Sequence, residues 1–366
     1  MSQQVQINYQ QIAVQCNSVC EIAEAQLKTM EEMLERVKAN SSTLLNAQTA
    51  ALEKSIIAER DALIEEIQTV RSLASQQAKQ GIINTNNHDK RYEHRNDSIE
   101  VARRLKTRID MLASKKLVEF NGLLDMLLSK SISEGYERLR GGDNGMVAVD
   151  SYTQALLDSI PDEALRQFTY LAYLQTPSLT GEDLLVAGKS LMGQTFESRI
   201  EAEKQKIRAE LEAARIDRST IEKVMKNGEG SPEEQLSAIR TAASDEIVGE
   251  KVRQKSLKII MQAIQARGFV VDRKNIKIKR DTNEVVLVAL KASGEKAAFR
   301  VFLDGKFIYD FHGYEGQACQ KDIEPFMRDL EEVYGVKVTS QQTIWSNPDK
   351  ISTMKYQAIN TNKNKG

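Results

Sequence analysis

Apolar residues in the first third of the chain recur at alternating steps of four and three, the spacing of a helix that packs along its length on another helix. This apolar seam consists of Cys16, Cys20, Ala23, Leu27, Met30, Leu34, Val37, Ser41 and Leu44. The register then shifts and resumes at Leu63, Ile67, Val70 and Ala74, as in a stutter. The pattern predicts one coiled-coil helix over residues 12–80.

A second long helix is predicted over residues 96–140, after a turn rich in Gly and Asn at 81–89. Its apolar face repeats close to every 3.6 residues, at Ile99, Leu105, Ile109, Leu112, Phe120, Leu124 and Leu127. A glycine-rich stretch at 141–145 ends it. The two long helices are expected either to fold back as an antiparallel hairpin or to pair with another copy of the chain. The second arrangement would make a homo-oligomer.

The middle of the chain is predicted to be helical as well. Apolar residues crowd residues 150–193, and Pro161 and Pro177 divide this stretch into short helices. A charged helix is expected at 195–226. The run Ser231-Pro-Glu-Glu carries a capping box with Pro in the first turn, and it predicts a helix over 231–267.

After Gly268 the apolar period changes from 3.6 to 2, which is typical of strands. Strands are predicted at 269–279, 284–291, 297–303 and 306–311, followed by a helix at 317–334 and a short strand at 336–339. Val285 to Leu290 is apolar on both faces and predicts an interior strand. The lysine-rich strand or the short last strand is expected at the edges. This order describes an antiparallel sheet with helices on one face.

The predicted fold class is therefore mainly α, with long coiled-coil helices and a small helical subdomain, followed by a C-terminal α+β domain with an antiparallel sheet. The predicted domains are a helical hairpin at 1–145, the subdomain at 146–193, a charged coiled-coil helix at 194–230, an α+β head at 231–346, and a polar tail at 347–366 that is partly disordered. Aromatic residues make up only 5% of the chain, as expected for long helices rather than one large core.

Composition and charge limit the classes of partner and the cellular compartment. The 51 Lys and Arg nearly balance the 52 Asp and Glu, so net charge favours neither nucleic acid nor a membrane. Three cysteines without a CxxC pair indicate a reducing compartment. No apolar run approaches the roughly 20 residues of a membrane span, and the polar N-terminus is unlike a signal peptide. A cytoplasmic protein without a membrane span is expected.

Candidate catalytic and metal-binding residues are few. Cys16 and Cys20 lie four apart on one helical face, where two thiolates can share a metal ion, but they also fall on the apolar seam. Burial in the core is the favoured interpretation. His88 and His94 are assigned to a polar loop. No catalytic residue, metal site or cofactor is therefore predicted.

The most specific local pattern is Gly313-Tyr314-Glu-Gly316-Gln-Ala-Cys319, between a strand and a helix. The glycines permit a tight turn, and the dipole of the following helix would lower the pKa of Cys319. The pattern thus fits either a reactive thiol, as in a thiol enzyme or redox sensor, or a small packed cysteine.

Residues 299–346 resemble a small bacterial and cyanobacterial domain of unknown function. The resemblance rests on Asp304 and Gly305 in a hairpin turn, on Gly313, Tyr314, Gly316 and Cys319, and on Leu330, Glu331 and Glu332 near the end of the next helix. Pro325 departs from the expected pattern and implies a kink or a later helix start. The resemblance implies no activity. Since members tend to be encoded beside AAA+ ATPases, it implies such an ATPase as a partner.

Basic residues form a candidate patch between 251 and 280, namely Lys251, Arg253, Lys255, Lys258, Arg273, Lys274, Lys277, Lys279 and Arg280, and a second basic run covers 103–116. A basic face can neutralise phosphates or dock acidic helices. The leading hypothesis is a non-enzymatic cytosolic scaffold or adaptor that acts through protein contacts. The alternatives are a nucleic-acid-associated accessory protein and thiol chemistry at Cys319.

Overall fold

The computed structural model describes residues 2–6, 9–40, 46–80, 88–139, 149–279, 282–314, 318–332 and 337–340. The chain divides into two compact units. The sheet unit comprises Met1–Cys20, Thr69–Arg103 and Asp245–Gly366, and the helical unit comprises Glu21–Gln68 and Arg104–Ser244. The predicted domains follow one another along the chain, whereas these units interleave. The predicted tail at 347–366 lies outside the described residues.

The helices account for most of the described chain. They are α1 (Tyr9–Ala39), α2 (Asn46–Gln80), α3 (His88–Met111), α4 (Leu117–Leu127), α5 (Lys130–Leu139), α6 (Ser151–Ser159), α7 (Glu163–Gln175), α8 (Gly181–Ala213), α9 (Arg218–Met225), α10 (Pro232–Gln265) and α11 (Gln320–Glu332). One π-helical turn, Leu112–Lys116, joins α3 to α4. A mainly helical chain with a C-terminal antiparallel sheet confirms the predicted fold class.

Several predicted helix boundaries are wrong. The single helix expected over 12–80 is two helices, because α1 ends at Ala39 and α2 begins at Asn46. The helix expected over 96–140 begins at His88 and is divided into α3, α4 and α5, so His88 and His94 lie in a helix rather than a loop. The charged helix expected from 195 begins already at Gly181, because α8 continues through 193 without a break.

Local capping explains the helix starts that were predicted correctly. At the start of α10, the Ser231 hydroxyl accepts a bond from the Glu234 amide at 3.2 Å, and the Glu234 carboxylate accepts one from the Ser231 amide at 2.8 Å. This reciprocal pair is the predicted capping box. Asp150 and Asp162 cap α6 and α7 in the same part of the chain that Pro161 divides.

The apolar seam of α1 is largely buried. Cys16, Cys20, Ala23, Met30, Leu34 and Val37 are buried, and Leu27 is half-buried. Ser41 and Leu44 lie outside the described residues. Burial of the seam agrees with a helix that packs along its length, while pairing as a coiled coil stays a prediction.

The sheet has six strands in the order β2-β3-β4-β5-β1-β6, and each neighbouring pair is antiparallel. The strands are β1 (Ser2–Gln6), β2 (Val270–Lys279), β3 (Glu284–Leu290), β4 (Lys296–Val301), β5 (Phe307–His312) and β6 (Lys337–Ser340). The predicted meander of β2 to β5 is confirmed with ends within two residues. Strand β1 was not predicted, and it separates β5 from β6. The edge positions of β2 and β6 and the interior position of β3 are confirmed.

One face of the sheet carries the core of the sheet unit. The row Leu287, Phe299 and Tyr309 is buried there, and α10 covers it with Ile259, Ile260 and Ile264. Helix α11 adds Phe326 and Leu330. These five helical contacts were predicted. Because successive side chains on a strand alternate between faces, Val286, Arg300 and Ile308 lie on the opposite face, which is called the open face below.

A candidate interaction surface at the edge of the sheet

Strand β2 presents exposed apolar side chains. Val270 is 68% exposed and Ile278 is 59% exposed, near opposite ends of the strand. Leu290 of β3, which pairs with Val270 in the sheet register, is 42% exposed. Exposed apolar side chains with charged neighbours are typical of binding surfaces. Together with Arg273, Lys274 and Lys277, these residues are called the β2 surface.

The cations of the β2 surface reach solvent. Arg273, Lys274 and Lys277 are all exposed. Ile276 packs against the core cluster, so alternation turns Lys277 toward the open face. The register of β2 on β3 shifts between Val271 and Ile276, an irregularity of the kind found at sheet edges. The surface therefore combines apolar and positively charged groups along one free edge.

The other residues of the predicted basic patch do not join this surface. Lys251 and Lys258 lie on the side of α10 that faces away from its buried Ile260 and Ile264, and Lys255 is half-buried one turn before Ile259. Helix α10 covers the core face, whereas Lys277 lies on the open face. A run that is continuous in the sequence is thus divided between two sides of the sheet.

Two further patch residues are held by partners, and a third is not described. Arg253 is buried, and its guanidinium donates to the Asn283 carbonyl and to Asn283 Oδ1, each at 2.9 Å, and pairs with Glu250. Lys279 Nζ lies 3.1 Å from Glu284 Oε1. Arg280 lies outside the described residues. Arg253 therefore joins α10 to the turn before β3 and is not part of a binding surface.

The second basic run, 103–116, is also engaged in local contacts. Arg103 pairs with Glu100, and Lys106 lies 3.0 Å from the buried Asp110. Arg108 pairs with both Glu59 and Glu66. Lys116 lies over the ring of Phe120, 5.9 Å from its centroid. The charges of Arg103, Lys106 and Arg108 are therefore largely neutralised by acidic residues within the chain.

The aromatic residues of the sheet point to the covered face. Phe299, Phe307, Tyr309 and Phe311 are all buried in the core cluster, with Phe269 and Phe326 beside them. Phe299 and Phe326 have centroids 5.5 Å apart, and Tyr309 and Phe311 pack edge to face at 5.7 Å. Sheets that read single-stranded RNA stack bases on exposed rings. Strands β4 and β5 use their rings for the core instead.

The Gly-Tyr-x-Gly-x-x-Cys motif closes the turn between β5 and α11. Gly313 has φ +85°, and a Cβ there would lie 3.1 Å from the Gly294 carbonyl oxygen, so glycine is required. The Tyr314 hydroxyl donates to Asp322 Oδ2 at 2.5 Å, and Lys291 Nζ lies 2.6 Å from the same oxygen. Burial and this bond raise the pKa of Tyr314. Gly316 lies outside the described residues.

Cys319 is packed in the core. It directly precedes α11, which begins at Gln320 rather than at 317 and contains Pro325 in its interior. The residue is 4% exposed and belongs to the core cluster. Burial raises the pKa of the Cys319 thiol, which is opposite to the shift expected from the helix dipole. The geometry therefore favours the packed cysteine over the reactive thiol.

Site-resolved alkylation can test this assignment. Iodoacetamide at pH 8 should modify Cys319 in the folded chain at least about tenfold more slowly than in urea, since a buried sulfur reacts only after local opening. Peptide mass spectrometry would separate Cys319 from the other cysteines. Equal rates in the folded and unfolded chain would restore the reactive-thiol alternative.

Cys16 and Cys20 are likewise buried. Burial, together with the neighbouring Cys20, raises the pKa of Cys16 to about 11, which opposes the thiolate form that a metal needs. Among the described residues, no three His, Cys, Asp or Glu side chains are grouped to hold a metal ion. Among the residues that the structure describes, every helix is too short or too polar to cross a lipid bilayer.

Comparison with known proteins assigns no family. No family model, curated protein or solved structure matches the chain. The resemblance of residues 299–346 to the small bacterial domain therefore stays a prediction, and the interpretation of the site rests on its geometry.

Proposed function

We propose that the chain is a protein-binding scaffold that holds its partner at the β2 surface. The observation that carries the proposal is the exposure of Val270, Ile278 and Leu290 beside Arg273, Lys274 and Lys277. Burying apolar side chains contributes about 25 cal/mol per Å², and surrounding charges select and orient a partner. A scaffold needs such a surface and no reacting group.

A protein partner fits this surface better than a nucleic acid does. The described rings of β4 and β5 are committed to the core, so bases would find no stacking platform on those strands. The predicted basic patch is divided between two sides of the sheet, and Arg253 and Lys279 are paired with acids. The remaining exposed cations suit a segment that carries both acidic and apolar side chains.

Partner identity follows from the sequence resemblance alone. Because the resembling domains tend to be encoded beside AAA+ ATPases, we propose an ATPase of that type as the first partner to test. Association with a second copy of the chain and a cytoplasmic location are parts of the same proposal.

Photo-crosslinking in native cells tests the proposal. A photoreactive phenylalanine analogue in place of Leu290 should capture protein, because Leu290 lies within the surface. The same analogue in place of Val186 on α8, which is 57% exposed, is the matched control. We expect several times more protein adduct at 290 than at 186.

Reversing charge with Arg273→Glu and Lys274→Glu should suppress the adduct at 290 and leave that at 186 unchanged. Equal capture at the two positions, or adducts made mainly of nucleic acid at 290, would refute a protein-binding role for this surface.

A further inference from the structure

The free edge of β2 carries a more specific inference, which rests on the proposed function. We infer that the occupant of the β2 surface is an extended acidic segment of a partner protein that adds to the sheet as a seventh strand beside β2.

The backbone of β2 has one occupied side and one free side. Within the described residues, β2 pairs with β3 and stands at the end of the strand order. A strand at that position presents backbone N–H and C=O groups on its free side. The Lys274 N–H is already occupied, because it donates to Asp272 Oδ1 at 3.0 Å. Because the register shifts between Val271 and Ile276, the ten residues of β2 lie opposite the seven of β3 and cover about 23 Å at about 3.3 Å per residue. Residues 276–279 are the regular part of this edge, long enough for a short peptide to join. Peptides bind other sheets in this way by main-chain hydrogen bonds.

The charge of the edge selects the partner. Arg273, Lys274 and Lys277 are exposed on β2, with Asp272 as the acid among the described residues of the strand. Two β2 edges would repel each other because both are positively charged, so pairing with β2 of a second copy of the chain is disfavoured. The same cations attract an acidic strand and raise its association rate. The lysines that prevent pairing with a second β2 edge therefore also favour an acidic strand as the partner.

The apolar side chains fit the two faces of an added strand. Val270, with Leu290 beside it, lies toward the open face, whereas Ile278 pairs with the buried Val285 on the core face. A strand beside β2 sends alternate side chains to these two faces. Valine or isoleucine on the added strand would cover Val270 on one face and Ile278 on the other.

The chain's own C-terminal residues are poorly matched to this edge. Residues 341–366 contain Lys350, Lys355, Lys363 and Lys365 against the single acid Asp349. A segment of that charge would be repelled by Arg273, Lys274 and Lys277. Charge complementarity therefore points to another protein as the source of the strand.

Selection from a random decapeptide library against the full chain tests the inference. The retained peptides should be enriched in Asp, Glu, Val and Ile and poor in Pro, which lacks the N–H that a ladder needs. Binding should slow hydrogen exchange at alternate β2 amides, because those amides become bonded to the peptide. Affinity should fall about tenfold in Lys274→Glu/Lys277→Glu.

The matched control reverses two exposed lysines of the helical unit, Lys189→Glu/Lys223→Glu, and should leave affinity unchanged. Three outcomes would overturn the strand addition: peptides whose apolar residues follow helical spacing, bound peptides that leave β2 exchange unchanged, or no peptide retained better by the native chain than by Lys274→Glu/Lys277→Glu. If photo-crosslinking at 290 still captures protein, the scaffold proposal survives such a result. If crosslinking fails as well, both are wrong.

Discussion

Replacing Arg240 with alanine should lower the free energy of unfolding by about 3–5 kcal/mol, the cost of removing one partner from a buried ion pair. Arg240 of α10 is 1% exposed, and its Nη1 lies 2.5 Å from Glu210 Oε2 on α8. Without the guanidinium, the Glu210 side chain, which is 25% exposed, would lose the cation that is bonded to its carboxylate.

Other polar side chains lie near Arg240 in the helical unit. Helices α1 and α8 run antiparallel. Lys206 of α8 donates to Thr29 of α1. Seven residues further along α1 and seven residues earlier in α8, Arg36 and Arg199 both pair with Asp125. One turn before Thr29, Gln26 is therefore level with Glu210. Gln26 is fully buried without a side-chain partner, and burial raises the pKa of nearby Glu203. A polar layer thus crosses the interior of the helical unit.

Urea unfolding followed by circular dichroism would measure the effect. Arg208→Ala is the matched control, because Arg208 pairs with Glu222 at 2.8 Å on a partly exposed surface and should cost less than about 1 kcal/mol. The double change Arg240→Met/Glu210→Leu should recover most of the loss, as apolar replacement of a buried pair is often neutral. A loss at Arg240 no larger than that at Arg208 would show that the buried pair carries no special weight.

Gly305→Ala should destabilise the sheet unit by about 3 kcal/mol or more. Gly305 lies in the β4–β5 turn with φ +79°, a conformation that costs a non-glycine residue about 1–2 kcal/mol. An added Cβ would also lie 2.7 Å from Val252 Cγ1 and 2.8 Å from Gln11 Nε2, and both residues are buried. Overpacking of this kind typically costs a further 1–3 kcal/mol or so.

Gly294→Ala separates the two contributions. Gly294 has φ +100°, but its Cβ would meet nothing within 4 Å, so only the backbone cost of about 1–2 kcal/mol should remain. Thermal unfolding of the two variants gives the comparison. Equal losses would mean that the contact of α1 and α10 with the β4–β5 turn is looser than the structure shows.

The same contact joins N-terminal residues to the segment predicted as the α+β head, 231–346. Gln11 of α1 donates to Ser256 and to the Gly305 carbonyl, the latter at 3.2 Å. Strand β1 pairs Ser2 with Asp310 and Gln4 with Ser340. The N-terminal residues Met1–Cys20 are therefore part of the sheet unit, together with Asp245–Gly366.

Local chemistry was sufficient for part of the fold. The change of apolar period after Gly268, the turn residues and the alternation along β3 determined the meander of β2 to β5 and its covered face. The Ser231 capping box determined where α10 begins. These signals lie within a few residues of the structure that they specify, so a single sequence reveals them.

Only the tertiary structure decided the rest. Gln-rich β1 has no strand pattern of its own, and it is a strand because β5 and β6, more than 300 residues away, offer it backbone partners on both sides. The basic run at 251–280 is one patch in the sequence but two in space, because α10 and β2 turn their lysines to opposite sides of one sheet. The sequence predicted lysines on an edge strand. The exposure of Val270 and Ile278 on the same strand depends on which elements pack against β2, and only long-range packing determines that.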